Sequence, residues 1–128
     1  NELINELKFK DEIILGNWIG PDELKSIICN SDILINPARF DAYGSASLGM
    51  SLGTAVIASK NCGAALDRII HMKNGILYDT YDLKSLASHI SNLIINRNLR
   101  EGLANEAYKA SKEWPPALGR KIIEENIS

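Results

Sequence analysis

Four short runs of uninterrupted apolar residues, each separated from the next by a stretch suited to a helix, constrain this chain more than any other feature. The runs are Ile13-Ile14-Leu15, Ile33-Leu34-Ile35, Val56-Ile57 and Ile76-Leu77-Tyr78. All are too short to be helices. They are continuous rather than alternating, as expected of strands covered by helices on both faces. Strand and helix in alternation imply a parallel α/β sheet. The pattern predicts four parallel strands, near 12–17, 32–36, 55–59 and 75–78, with helices on both sides.

The connecting stretches carry helix signals. Gly20-Pro21-Asp22-Glu23 reads as a helix start, with proline at the first helical position and carboxylates near the positive end of the dipole. Leu24, Ile27 and Ile28 are then expected to face the sheet, with Cys29 as a small core residue. After Asp82, a capping residue, Leu83, Leu86, Ala87, Ile90, Leu93 and Ile94 recur at the helical period up to about Asn96. Leu99, Leu103, Ala107 and Ala110 continue a second helix. Trp114 before Pro115-Pro116 marks a break ahead of a last helix bearing Leu118, Ile122 and Ile123.

At 128 residues the chain has room for one core and one domain, 1–128. With 45% hydrophobic and 23% charged residues it has the composition of a globular protein. Fourteen basic against sixteen acidic residues leave a net charge of -2, so there is no bulk positive field for nucleic acid or an anionic membrane. No apolar run approaches the roughly 18 residues of a membrane span, and the first residues lack a signal-peptide layout. A cytoplasmic location is expected. The two cysteines, Cys29 and Cys62, have neither disulfide-scaffold density nor metal-ligand spacing and read as reduced thiols. A start at Asn1 rather than Met suggests a piece of a longer polypeptide or a processed one.

The segment from Asn36 to Leu48 leaves the carboxyl end of the second apolar run and enters a helix, the end at which such sheets bind ligands. Gly44 permits a tight turn, and the amides of Ser45, Ala46 and Ser47 would be the unpaired donors of a helix start, suited to a phosphate or a sugar oxygen. Asp41 can accept hydrogen bonds from sugar hydroxyls. The plainer alternative is that Asp41 and Ser45 only cap the helix.

Four strings widen the context: Pro37-Ala38-Arg39-Phe40-Asp41-Ala42-Tyr43-Gly44, Leu52-Gly53-Thr54-Ala55-Val56-Ile57-Ala58-Ser59, Cys62-Gly63-Ala64-Ala65 and Asn74-Gly75-Ile76-Leu77. In order and spacing, over roughly residues 13 to 112, they resemble the C-terminal, donor-binding domain of retaining glycosyltransferases of the GT-B fold, the glycosyl transferases group 1 type. The resemblance implies a Rossmann-like domain that binds a nucleotide sugar as substrate. It also implies transfer of a hexosyl unit, with retention, to a glycan or lipid-linked acceptor, as in polysaccharide biosynthesis. Asp41 would position the donor sugar. Arg39, Tyr43, Gly44, Ser45, Ala46 and Ser47 would meet the donor, and Trp18 and Ile19 would lie against the base. Trp18 fits a core role equally well. No cofactor and no metal are expected, and the full-length enzyme would sit peripherally at the inner membrane face.

The departures from the family pattern matter too. The family's second acid, a glutamate that binds the ribose, falls here on Gly49, or on Leu48 if the helix is aligned backwards from Gly53. Ala38 and Ala55 replace the usual serine and proline. A Gly-Arg turn and a lysine that neutralise the diphosphate belong to strands ahead of residue 1, so the isolated chain is expected to be inactive. Strands missing on one side leave an open sheet edge, and self-association through it is expected. The alternative is a degenerate, non-catalytic module of the same fold that binds a partner or acts as a scaffold. A receiver-type signalling domain would want an aspartate at a strand's carboxyl end, whereas Asp32 lies at a strand's start.

Smaller signals read structurally. His89 flanks an apolar stripe and should be a partly exposed surface residue, and His71 precedes a loop without a ligand cluster. Cys62 lies in a loop, reactive only if a cation lowers its pKa. Arg68 and Lys73 read as solvated charges, and Arg39 could form a structural ion pair with Asp41.

Overall fold

The computed structural model describes residues 6–40, 44–114 and 124–125. A 3-10 turn at Lys10–Glu12 is followed by α1 (Pro21–Cys29), β1 (Ile33–Asn36), α2 (Ser45–Ser51), β2 (Ala55–Ser59), α3 (Gly63–Arg68), β3 (Ile76–Tyr78), α4 (Leu83–Ile95) and α5 (Arg97–Ser111). The last expected helix, with Leu118, Ile122 and Ile123, lies outside the described residues.

The sheet has three parallel strands in the order β1-β2-β3, with Ile35 opposite Ile57 and Ile57 opposite Ile76. β2 is buried along its whole length and feeds two cores, because successive side chains point to opposite faces. Val56 and Ala58 join Ala46, Met50, Cys62, Ala64, Ala65, Ile69 and Ala107 on one side. Ala55 and Ile57 join Ile76, Tyr78, Leu93 and Leu103 on the other. The expected double covering by helices is therefore present.

The fourth strand is not. Residues 13–17 join no ladder among the described residues, and Ile14 is 94% exposed. An apolar run becomes a strand only where a neighbour accepts and donates its ladder bonds, and no described strand lies beside this one. The same lack of cover explains α1. Pro21 opens it as expected and its carboxylates sit in the first turn, yet only Ile28 is buried, while Leu24 and Ile27 stay partly exposed. Ile28 is also where α1 is fastened, its carbonyl accepting from the buried Thr54 hydroxyl at 2.9 Å. Cys29, expected in the core, is exposed instead.

The end of the chain's helical half follows the sequence closely. Asp82 caps α4 by accepting from the Ser85 amide at 2.9 Å, and Asn96 caps α5 by accepting from the Leu99 amide at 3.0 Å. Of the α4 stripe, Leu93 is fully buried and Leu86 and Ile90 pack against the core, whereas Leu83, Ala87 and Ile94 are exposed. Two amino-end arginines finish the junction. Arg100 donates to the carbonyls of Leu93 and Ile94 at 2.8 and 3.3 Å and approaches Asp32 at 3.9 Å, while Arg97 holds Glu101 at 2.6 Å.

Candidate functional site

Three loops leave the carboxyl ends of the strands: one after β1, Lys60–Cys62 after β2 and Asp79–Asp82 after β3. The first is stitched from beneath. Asn36, the last residue of β1 and buried, donates from Nδ2 to Ser45 Oγ at 2.8 Å and to Cys62 Sγ at 3.4 Å, while its Oδ1 accepts from the Ala38 amide at 3.2 Å. Ser59, the last residue of β2, donates its hydroxyl to the Ala38 carbonyl. Asn61 Nδ2 donates to the Arg39 carbonyl at 3.0 Å. A buried amide left unpaired would cost about 1–3 kcal/mol, so these side chains fix the loop's course as firmly as they satisfy themselves.

Gly44 then turns the chain with φ 147°, a conformation that side-chain-bearing residues rarely adopt. α2 starts at Ser45, and its first internal bond runs from the Leu48 amide to the Gly44 carbonyl at 2.9 Å. The amides of Ser45, Ala46 and Ser47 precede that bond, and Gly44 at the cap position has no side chain to offer them; Asp41, the capping alternative, lies outside the described residues. Ser45 is the first helical residue and not the cap, and its hydroxyl is taken by Asn36. Ala46 is fully buried, with its methyl in the core. Ser47 Oγ is buried without a hydrogen-bond partner.

Asp41 and Tyr43 lie outside the described residues. Arg39 is described, and its guanidinium stands 5.8 Å from the centre of the Tyr81 ring. Trp18 is 89% exposed in this chain, and Ile19 is half-buried. No hydrogen bond or ring contact among the described residues joins either of them to Arg39 or to Gly44–Ser47.

Gly49 answers where the family's second acid could stand. A Cβ there would meet Leu34 Cδ2 at 2.5 Å and Val56 Cγ2 at 2.9 Å, so a side chain at this position has to displace Leu34 and Val56 or lift the helix from the sheet. Leu48 is half-buried in an open hollow of about 350 Å³ shared with Ser47, Ser51, Arg68 and Trp114. Arg68 is not simply a solvated charge, since its guanidinium stacks 4.3 Å from the centre of the Trp114 ring.

Other residues the sequence raised have structural employment. Cys62, expected in a loop, is fully buried just before α3, beneath Asn36. His71 Nδ1 accepts from the Leu77 amide at 3.1 Å, and its ring meets that of the half-exposed His89 edge-on at 5.7 Å. Burial, then His89 and Lys60, hold the His71 imidazole below its ordinary pKa. Asn61 and Tyr81 were not singled out for the site and have no local signal, and Asn36 was named only as the start of the segment that leaves the second apolar run.

Compared with known proteins, residues 1–110 match the model of the family glycosyl transferases group 1. The chain belongs to that family. It is 25% identical over 109 residues to an uncharacterized glycosyltransferase, MJ1607, of Methanocaldococcus jannaschii, spanning 84% of this chain but 28% of that relative. Among solved structures, it is similar to the C-terminal domain of a glycosyl transferase group 1 family protein, LpcC, of Francisella tularensis, with a TM-score of 0.76, 26% identity, and coverage of 88% of this chain and 60% of that one. Sucrose-phosphate synthase of Thermosynechococcus elongatus shares the fold at a TM-score of 0.85 and 20% identity, over 98% of this chain and 33% of that one. So does HepE of Anabaena, solved in complex with UDP, at a TM-score of 0.71 and 22% identity, over 79% and 28%. The Rossmann-like α/β architecture of GT-B glycosyltransferase domains is thus shared.

Proposed function

We propose that the chain is the donor-binding, C-terminal part of a retaining glycosyltransferase that moves a hexosyl unit from a nucleotide sugar to a glycan or lipid-linked acceptor. The observation that carries this reading is the family match across residues 1–110, because it covers the segment that leaves β1 at the carboxyl edge and enters α2 through Gly44. The LpcC likeness supports the assignment to a C-terminal domain, and the UDP bound by HepE supports a uridine nucleotide as the donor's leaving group.

In this reading the loop after β1 presents the donor site. Gly44 opens the backbone, the amides of Ser45, Ala46 and Ser47 face the donor's oxygens, Asp41 and Arg39 orient the sugar, and Tyr43 lines the site. Trp18 and Ile19 take the base. An uncapped helix start offsets an anion by only about 0.3–1 kcal/mol, so the diphosphate needs cations supplied by the rest of the polypeptide. The isolated chain therefore binds donor weakly and does not turn it over. Ligand-observed NMR with uridine and guanosine diphosphate sugars tests this: signal from at least one donor, lost in Asp41→Ala, is expected. Binding indifferent to Asp41→Ala, or turnover by the chain alone, would defeat it.

A specific observation favours a second reading, a non-catalytic module. Glycine stands at 49, where a side chain would crowd Leu34 and Val56, and an apolar side chain stands at 48, so the acid of the family's ribose grip is missing on either alignment. Absence of binding to every donor would favour it. A separate proposal concerns assembly: the outer edge of β1, unpaired among the described residues, joins a second copy, which concentration-dependent light scattering reads directly.

A further inference from the structure

We propose that the cavity between the loops after β2 and β3 is a second carbohydrate subsite, which holds a neutral sugar apart from the nucleotide. The proposal rests on the transferase reading for its class of substrate alone. The cavity is open to solvent, measures about 590 Å³ and is lined by Asn61, Asp79, Thr80, Tyr81 and Asp82. That size lies within the roughly 300–1,000 Å³ usual for small-molecule sites.

The hydrogen bonds already spent decide what the cavity can take. Asn61 uses Nδ2 on the Arg39 carbonyl, so its carbonyl oxygen remains. Asp79 gives Oδ1 to Lys60 at 3.1 Å, and Asp82 gives Oδ1 to the Ser85 amide, so each has a second oxygen to offer. The Thr80 hydroxyl oxygen is buried and has no partner. What remains is rich in acceptors and calls for a ligand rich in donors.

Charge narrows the class further. Lys60 pairs with Asp79 at 3.1 Å and the Arg39 guanidinium stands 5.8 Å from the centre of the Tyr81 ring, so the cavity carries groups of both signs, which favours a neutral ligand. Among the described residues, no group of three His, Cys, Asp or Glu side chains could hold a metal ion. Tyr81 is 76% exposed, and its ring presents a flat apolar platform beside these acceptors. Many hydroxyl donors around one apolar face, with no charge, describe a hexopyranose.

Because Asn61 clamps the loop that carries Arg39, a sugar seated here would lie next to the segment that leads to Gly44. A second sugar beside the donor is the acceptor side of a transfer reaction.

The test uses the full chain in ligand-observed NMR with methyl glycosides of glucose, galactose and mannose, with and without saturating UDP. At least one glycoside is expected to receive magnetisation, to keep it in the presence of UDP, and to bind about three- to tenfold more weakly to Tyr81→Ala. Asp79→Asn, which leaves the platform in place, should weaken binding less. Silence from all three glycosides, displacement by UDP, or binding unchanged in Tyr81→Ala would overturn the subsite. Binding of inorganic phosphate or calcium ion at Asn61 and Tyr81, read from their amide shifts, would overturn it too. UDP titration is read separately, so failure of the donor reading is visible on its own.

Discussion

The two ends of the same sheet are built from similar polar residues put to different use. At the amino end, Arg100 satisfies the last carbonyls of α4, Asp32 faces it, and Arg97 is held by Glu101, so the polar groups close the fold on itself. At the carboxyl end, Asn36, Ser59 and Asn61 spend their bonds on aiming a loop, while among the described residues the oxygens beside Tyr81 keep capacity to accept. Hydrogen-bond capacity left over after folding, rather than the number of polar residues, separates the two ends.

The largest effect should come from forcing the expected acid back into α2. Gly49→Glu places a carboxylate against Leu34 and Val56, and a loss of about 3 kcal/mol or more is expected in urea unfolding. Leu48→Glu, in the open hollow beside Arg68, should change stability by less than about 1 kcal/mol and strengthen binding of a uridine diphosphate sugar. If Gly49→Glu proved neutral, the close seat of α2 on the sheet would be wrong.

At the amino end, Arg100→Met removes the donors to Leu93 and Ile94 and should cost about 1–3 kcal/mol, with donor binding untouched. The carboxyl end should show the reverse. Tyr81→Ala is expected to move stability by no more than about 0.5 kcal/mol, because its ring is mostly exposed, and to act on ligands alone. Chemical denaturation of both variants beside binding measurements checks the contrast.

The smallest effect is a pH dependence. His71 is neutral where it accepts the Leu77 amide, and its folded pKa lies below the ordinary value of 6.5. The unfolded chain therefore takes up a proton first. The contribution is present above about 6.5 and lost as pH falls through the folded pKa. His71→Gln should flatten that slope in denaturation curves collected from pH 7.5 downward to about 5.

Much of the sheet could be read from the chain because β2 is buried on both sides and says so in every residue from Ala55 to Ser59. The two caps, Asp82 and Asn96, act within three residues, which is why α4 ends where its stripe ends. The Ile13-Ile14-Leu15 run misled because hydrophobicity reports a wish for cover, whereas a strand needs a partner. Cys29 is exposed because α1 is covered only near Ile28, while Cys62, in the loop after β2 as expected, is buried under Asn36, twenty-six residues away in sequence. The cavity at Tyr81 had no local signature, since Asn61 and Asp79 meet only after β2 and β3 pair.

The two faces of the sheet also differ in mechanical compliance. Ala46, Ala58, Ala64, Ala65 and Ala107 line the face under α2 and α3, where the opposite face uses Ile57, Ile76, Leu93 and Leu103. Beside Met50, Val56, Cys62 and Ile69, five side chains with no rotatable bonds leave α2 and α3 little to yield with, so much of a push on the loop after β1 is transmitted to the strands. The branched face can repack around an intruding methyl group by changing rotamers. The carboxyl-edge loops are thus mounted on the stiff side of the molecule, and substitutions that would be absorbed beneath α4 would shift the loop around Arg39 and Gly44.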